Sequence, residues 1–249
     1  KLPQDWKSGT IATIHKKGAK TDVSNYRPIS LTSIICKIFE SIIRDHMMKH
    51  FVTNNLFSNK QYGFIKGRST SIQLLHIIDI WTKYLEEGGQ IDAIYTDFEK
   101  AFDKVPHKRL IKKLSAYSID NKILKWIESF LFKRKQRVKI NGKFSEWTDV
   151  LSGIPQGSIL GPLLFVIYIN DLPSLCKDFG DIFLFADDAK IFRHINSRSD
   201  QEVLQEGCVA LQTWSDNWLL KLNIDKCKVL SIRHTGTPID YDYSLSNTN

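Results

Sequence analysis

The sequence predicts an α+β fold, a sheet with helices on one face, rather than a doubly wound α/β fold. Three observations predict it. Runs of strand character and longer stretches at helical spacing are interleaved without strict β-α alternation. A pair of adjacent acids, Asp187-Asp188, sits between two short apolar runs, as at the turn of a hairpin. The chain has 249 residues with 42% hydrophobic and 25% charged content, ordinary for a globular protein with a sizeable core.

The elements follow in order. Residues 1–31 are basic and broken by Gly and Pro. Within them Thr10-Ile11-Ala12-Thr13-Ile14 alternates like a strand, His15-Lys16-Lys17-Gly18 turns, and Asn25-Tyr26-Arg27-Pro28 begins a second extended piece. Ile34, Ile35, Ile38, Phe39, Ile42 and Ile43 recur at helical spacing over 33–52, as do Ile72, Leu75, Ile78 and Leu85 over 71–86, where Gly88-Gly89 stop the helix. Ile91 to Asp97 reads as a buried strand, and 107–117 and 121–132 as amphipathic helices. Arg137 to Ile140, then Asn141-Gly142 and Lys143-Phe144, predicts a hairpin, because Asn-Gly suits a type I′ turn. An apolar helix is expected over 157–170, the Asp187-Asp188 hairpin next, a helix over 199–219 and a last strand from Val229 to Ile232. The polar tail from Thr235 to Asn249 is expected to fray.

The formal net charge is +8, which points to a polyanionic partner, nucleic acid before membrane. Cys36, Cys176, Cys208 and Cys227 form no C-x-x-C pair, so a zinc ribbon is excluded and free thiols are expected. The apolar stretch from Ile159 to Ile169 is too short to span a bilayer and contains Gly161-Pro162, and no signal peptide is legible. The chain begins on Lys rather than Met and reads as a piece of a longer polypeptide.

Adjacent carboxylates beside a buried hairpin are costly unless neutralised, and hard divalent cations prefer carboxylate oxygens. By itself an Asp-Asp pair at a turn is also ordinary turn chemistry. A third acid, Asp97, ends the strand from Ile91. If that strand pairs with 182–186, three carboxylates could hold two divalent ions roughly 3.5–4 Å apart, the arrangement of a magnesium polymerase. A strand-end cap is the plainer role for Asp97. The run Lys133-Arg134-Lys135-Gln136-Arg137-Val138-Lys139 is the densest positive patch, either a surface tracking a nucleic-acid backbone or a solvated helix end.

Four motifs stand in order along the chain: Tyr95 to Asp103, Ser152-Gly153-Ile154-Pro155-Gln156-Gly157-Ser158, Phe185-Ala186-Asp187-Asp188, and Leu222 to Lys228. Asn25 to Leu31, Gln61-Tyr62-Gly63-Phe64 and Gly67-Arg68-Ser69-Thr70 precede the first of them. On these segments the chain resembles the reverse transcriptase domain of non-LTR retrotransposons, near the jockey-like LINE group. The resemblance implies a right-hand polymerase: fingers over 1–90 and a palm over 91–234. The palm would be an antiparallel sheet backed by helices, with a fingers element optionally inserted at 107–150. The thumb would be missing from these residues, with 235–249 only beginning the primer grip.

The resemblance also implies an RNA-directed DNA polymerase with two Mg2+ ions, for which Mn2+ can substitute, held by Asp97, Asp187, Asp188 and the Phe98 carbonyl. Phe102 would lie under the incoming sugar and select deoxynucleotides, unless it is plain core. Lys16 or its neighbour Lys17, with Arg27, would clamp the triphosphate. Gln156 and Gly157 would flank the nascent pair, and Lys226 would protonate pyrophosphate. Lys133, Arg134, Lys135, Arg137 and Lys139 would meet nucleic acid. The expected partners are an RNA template, a DNA primer, dNTPs and the rest of a retroelement polyprotein with its endonuclease and thumb. No membrane partner is expected, and the expected setting is intracellular, nucleus and cytoplasm. Rival readings are an inactive nucleic-acid-binding relic and a group II intron-type reverse transcriptase.

Overall fold

Strand alternation and helical spacing locate most elements to within a few residues of where they form. The computed structural model describes residues 2–245. In chain order these form β1 (Ser8–His15), β2 (Tyr26–Leu31), α1 (Ile34–Thr53), α2 (Thr70–Glu86), β3 (Gln90–Thr96), α3 (Ala101–Lys104), α4 (His107–Ala116) and α5 (Asn121–Leu131). There follow β4 (Arg134–Ile140), β5 (Lys143–Phe144), β6 (Thr148–Val150), α6 (Gly161–Ile169), α7 (Leu172–Cys176), β7 (Asp181–Phe185), β8 (Asp188–Ile195), α8 (Arg198–Trp218) and β9 (Lys228–Arg233). The chain divides into two compact units. One contains Lys1–Leu56 and Phe102–Tyr168, the other Phe57–Ala101 and Ile169–Asn249.

The first unit carries a mixed sheet ordered β2-β1-β4-β5, with β6 also on β4. β1 and β2 form an antiparallel hairpin, and β4 runs parallel to β1. The Asn-Gly turn between β4 and β5 forms as expected, with φ of 49° at Asn141 and 79° at Gly142. Leu110, Leu114, Ile127, Phe130 and the run from Leu163 to Tyr168 make this unit's core. Helix α1 forms where its spacing predicts, but its apolar stripe faces solvent: Ile34 is 78% exposed and Ile42 60%. The inward stripe is Cys36, Glu40, Met47 and Phe51.

The second unit carries an antiparallel sheet ordered β7-β8-β3-β9. Helices cover both of its faces, where the sequence suggested one. Ile91, Ala93 and Phe192 on one face pack with Ile77 and Trp81 of α2. On the other, α8 lies so close that a Cβ on Gly207 would come within 2.9 Å of Ile191. The tail also departs from expectation through Leu245. Its Tyr243 hydroxyl donates to Asp92 at 2.7 Å, and the Ile239 amide donates to Gln90 at 2.9 Å. Gln201 donates to Asp92 and to the Ile239 carbonyl. The docked tail thus closes over a buried polar cluster of Gln90, Asp92 and Gln201. Residues 246–249 lie outside the described part. Among the described residues no helix is long and apolar enough to cross a membrane.

Candidate active site

The second unit brings the three predicted aspartates together through strand register. β3 pairs with β8 as Thr96↔Ala189, so the next residues along, Asp97 and Asp188, leave the sheet at the same end. β7 and β8 close as Phe185↔Asp188, which leaves Ala186 and Asp187 as the two-residue turn. Ala186 takes φ of 55°, a left-handed conformation that costs a residue with a Cβ roughly 1–2 kcal/mol.

That turn is held by residues whose part the sequence did not reveal. The buried Gln61 side chain accepts the Ala186 amide at 2.9 Å and the Gly63 amide at 2.7 Å. Gln73 of α2 donates to the Leu184 carbonyl at 2.9 Å, and the Tyr62 amide donates to the same carbonyl at 2.8 Å. Gly63 lies flat against the turn, for a Cβ there would stand 2.4 Å from the Ala186 nitrogen. The segment Gln61-Tyr62-Gly63 was legible as a motif; its job as the turn's backing was not. The only sequence signal was an amide-bearing residue two positions before a glycine.

Burial raises the Asp187 carboxyl above its ordinary value, and the charges of Asp188 and Asp97 push it further the same way. Asp188 is raised by burial and then by Asp97. The one cation in contact with Asp97 among the described residues is Lys226, whose Nζ lies 2.6 Å from Asp97 Oδ2. The backbone carbonyl of Asp97 accepts the Asn223 amide at 2.7 Å, and Glu99 donates to the Lys221 carbonyl at 2.8 Å, which fixes the Lys226 segment beside the acid. Phe98 is buried with its ring against Trp214. Among the described residues no three His, Cys, Asp or Glu side chains already close on a common metal position. The donor set nevertheless suits a hard cation: oxygen ligands only, mutually repelling, and drawn to the nearest positive charge.

The first unit carries the other predicted residues. Phe102 stacks on Phe165, with ring centroids 4.5 Å apart. Gln156 donates to Asp103 at 2.9 Å, and its carbonyl accepts the Ser30 amide at 2.6 Å. Gly157 has φ of 108°, and a Cβ there would meet the Ser30 carbonyl at 2.8 Å. The same loop is held by Glu40, fully buried on α1. Its Oε2 accepts the Ser158 hydroxyl and the Ile159 and Leu160 amides, the latter two at 2.9 and 3.1 Å. Lys16, Lys17 and Arg27 are exposed at the β1–β2 hairpin.

Lys133, Lys135 and Lys139 are exposed and Arg137 half-buried, but Arg134 departs from the expected basic surface. It is 2% exposed and donates to the Phe130 and Trp6 carbonyls at 3.0 and 3.2 Å, so its guanidinium serves the core. Alternation explains this: in a strand half-covered by helices, every second residue turns inward whatever its charge.

Residues 14–241 match the family described as reverse transcriptase (RNA-dependent DNA polymerase). The chain is 30% identical over 245 residues to the RNA-directed DNA polymerase from mobile element jockey of Drosophila melanogaster, covering 95% of this chain and 27% of that protein. It is also 30% identical over 248 residues to the probable RNA-directed DNA polymerase from transposon X-element of the same fly, covering 96% and 27%. Among solved structures, apo telomerase from Candida tropicalis, truncated from its C-terminal domain, matches with a TM-score of 0.68 at 13% identity. That match covers 95% of this chain and 52% of the other, and it bears on the fold alone. The chain spans just over a quarter of the length of the fly relatives it matches.

Proposed function

On the premise that this chain belongs to the reverse transcriptase family, we propose that it is the fingers-and-palm core of a non-LTR retrotransposon RNA-directed DNA polymerase. It adds deoxynucleotides to a primer 3′-hydroxyl on an RNA template. The observation that carries this reading is the register that ends β3 at Asp97 beside the Asp187–Asp188 turn.

In this reading Asp97, Asp187, Asp188 and the Phe98 carbonyl hold divalent ions, Mg2+ or in its place Mn2+. The raised Asp187 and Asp188 carboxyls support it, because crowded acids gain most from a cation. Two such ions, when bound, would lower the pKa of the primer hydroxyl and neutralise the triphosphate. Gln61 and Gly63 act through the Ala186–Asp187 turn as positioning residues. Phe102, whose ring stacks on Phe165, would exclude a ribose 2′-hydroxyl. Gln156, its amide oriented by Asp103, and Gly157 flank the nascent pair. Arg27 and Lys16 bind the triphosphate, and Lys226 passes a proton to the leaving pyrophosphate. Lys133, Lys135, Arg137 and Lys139 hold template or primer by phosphate contact. The remainder of a longer polyprotein supplies endonuclease and thumb, and the work takes place in cytoplasm and nucleus.

The test is primer extension on an RNA template with Mg2+ and four dNTPs, comparing the chain with Asp187→Asn. Extension lost in the variant is the expected result. Extension by both would remove Asp187 from the chemistry, and extension by neither would refute polymerase activity for this chain.

A further inference from the structure

The register of the first unit's sheet puts a particular set of side chains on one face. β1 pairs with β4 as Ser8↔Lys135, Thr10↔Arg137 and Ala12↔Lys139. β1 pairs with β2 as Thr10↔Leu31, Ala12↔Ile29 and Ile14↔Arg27. β4 pairs with β5 as Lys139↔Phe144 and with β6 as Lys135↔Asp149. Residues paired directly across strands share a face. Gly9, Ile11 and Ser30 are buried on the opposite, inward face. The outward face therefore has a floor of small residues, Ser8, Thr10 and Ala12, edged by cations and by two aromatic rings.

Those rings are exposed, Phe144 at 49% and Trp147 at 43%. The Arg137 guanidinium lies over both, 3.9 Å from the Phe144 centroid and 4.6 Å from that of Trp147, with Lys139 Nζ 5.5 Å from Phe144. Arg137 Nε is buried without a hydrogen-bond partner, and no carboxylate pairs with this guanidinium among the described residues. Two large rings thus stay partly open to solvent while the half-buried arginine plane lies over both of them. An open cleft of about 950 Å³ adjoins Trp147, with Phe132, Lys133, Lys135 and Leu151 among its walls. Leu151 itself is 88% exposed.

We propose that this face is a stacking platform for the bases of an unpaired RNA strand. Phe144 and Trp147 would take successive bases, with Arg137 backing both rings, while Lys135 and Lys139 follow the phosphates. Flat rings beside cations suit a single strand, whose bases are free to stack; a duplex keeps its bases stacked on each other. The acids here are Asp149, opposite Lys135, and the neighbouring exposed Glu146, so the face stays positive on balance. The identity of the strand as template rests on the polymerase reading; the stacking does not.

The experiment is binding of a single-stranded RNA of about 12 nucleotides, within the usual site size, and of a same-length strand lacking bases, followed by fluorescence anisotropy across a salt series. Trp147→Ala and Phe144→Ala are each expected to weaken binding of the RNA about tenfold, as loss of one stacked base does. They should leave the baseless strand and the salt slope unchanged, and Trp147→Phe should restore binding. Lys135→Gln with Lys139→Gln should instead flatten the slope by about 1.4. Equal loss on both strands, or no loss on RNA, overturns the platform. Base-dependent binding without primer extension would keep the platform and sink the polymerase reading. Extension with RNA binding unaltered in Trp147→Ala would do the reverse.

Discussion

Replacing Glu40 by alanine removes one carboxylate and leaves three donors without it. Those donors are the Ser158 hydroxyl and the Ile159 and Leu160 amides, 118 to 120 residues further along the chain. They lead into α6, so their N–H groups belong to a helix N-terminus, where negative charge is favoured. Leu160 is fully buried and no water can reach its amide in exchange. The hydroxyl can rotate and Ile159 is only partly buried, so their penalties are smaller. A stranded buried donor costs about 1–3 kcal/mol, and breaking a buried charged cluster about 3–5 kcal/mol. Glu40 also offsets part of the burial that lowers the Arg134 guanidinium pKa. The expected loss is therefore about 3–5 kcal/mol, a large part of the roughly 5–15 kcal/mol that holds a domain folded.

Glu40→Gln keeps the volume and an acceptor oxygen, and should lose only about 1–2 kcal/mol. Urea unfolding of both variants, with Ser158→Ala added to complete a double-mutant cycle, measures this. Because the loop carries Gln156 and Gly157, Glu40→Gln should also raise the KM for dNTP more than it lowers kcat. A Glu40→Ala variant within 1 kcal/mol of the parent would show that the loop does not depend on this carboxylate, and would refute the reasoning.

Other expectations are as direct. Asp187 has its carboxyl raised above 3.8 in the fold, so the folded state holds this proton more tightly than the unfolded chain. Its ionisation therefore costs stability as pH rises past about 3.8, and the full cost is present above the folded value. Asp187→Asn should raise the thermal midpoint of the metal-free protein at pH 7 and leave it unchanged near pH 3; a lower midpoint at pH 7 would contradict this. Lys226→Gln frees Asp97 Oδ2 for a cation, and Mn2+ titration by electron paramagnetic resonance should show affinity up to about fivefold tighter, the scale of an exposed ion pair. Weaker Mn2+ binding would instead mean that the lysine helps assemble the site. Tyr243→Phe removes a donor from the Asp92 carboxyl and should cost about 1.5–3 kcal/mol by urea unfolding. No change there would mean that the tail is not docked in solution.

The Asp187–Asp188 hairpin was legible because its signal is local: a two-residue turn between apolar runs, with Asp97 ending a buried strand. The Asn141-Gly142 turn was legible for the same reason. The orientation of α1 was not. Periodicity finds a helix, but it cannot say what lies against each face, and here the stripe from Ile34 to Ile42 faces out. Arg134 was misplaced because a run of cations reads as surface, while strand alternation turned that one inward. The tail looked frayed because its anchors are polar and far away: Gln90 lies 149 residues from Ile239, and Asp92 lies 151 from Tyr243.

These misreadings share one physical form. Glu40 in α1, Gln73 in α2, Gln90 and Asp92 in β3, and Gln201 in α8 all occupy the buried phase of their element. A polar group in that phase is too costly to keep without partners. Each of them bonds a backbone group, or a side chain that itself holds one, outside its own element. Glu40 holds the loop carrying Gln156, and Gln73 holds the strand leading to Asp187. Gln90, Asp92 and Gln201 hold the tail beside β3. Hydrophobic pattern thus reports where elements are, while a polar residue in the hydrophobic phase reports where an element grips a loop. In this chain, the loop gripped by Glu40 and the strand gripped by Gln73 are the ones that lead to the proposed chemistry.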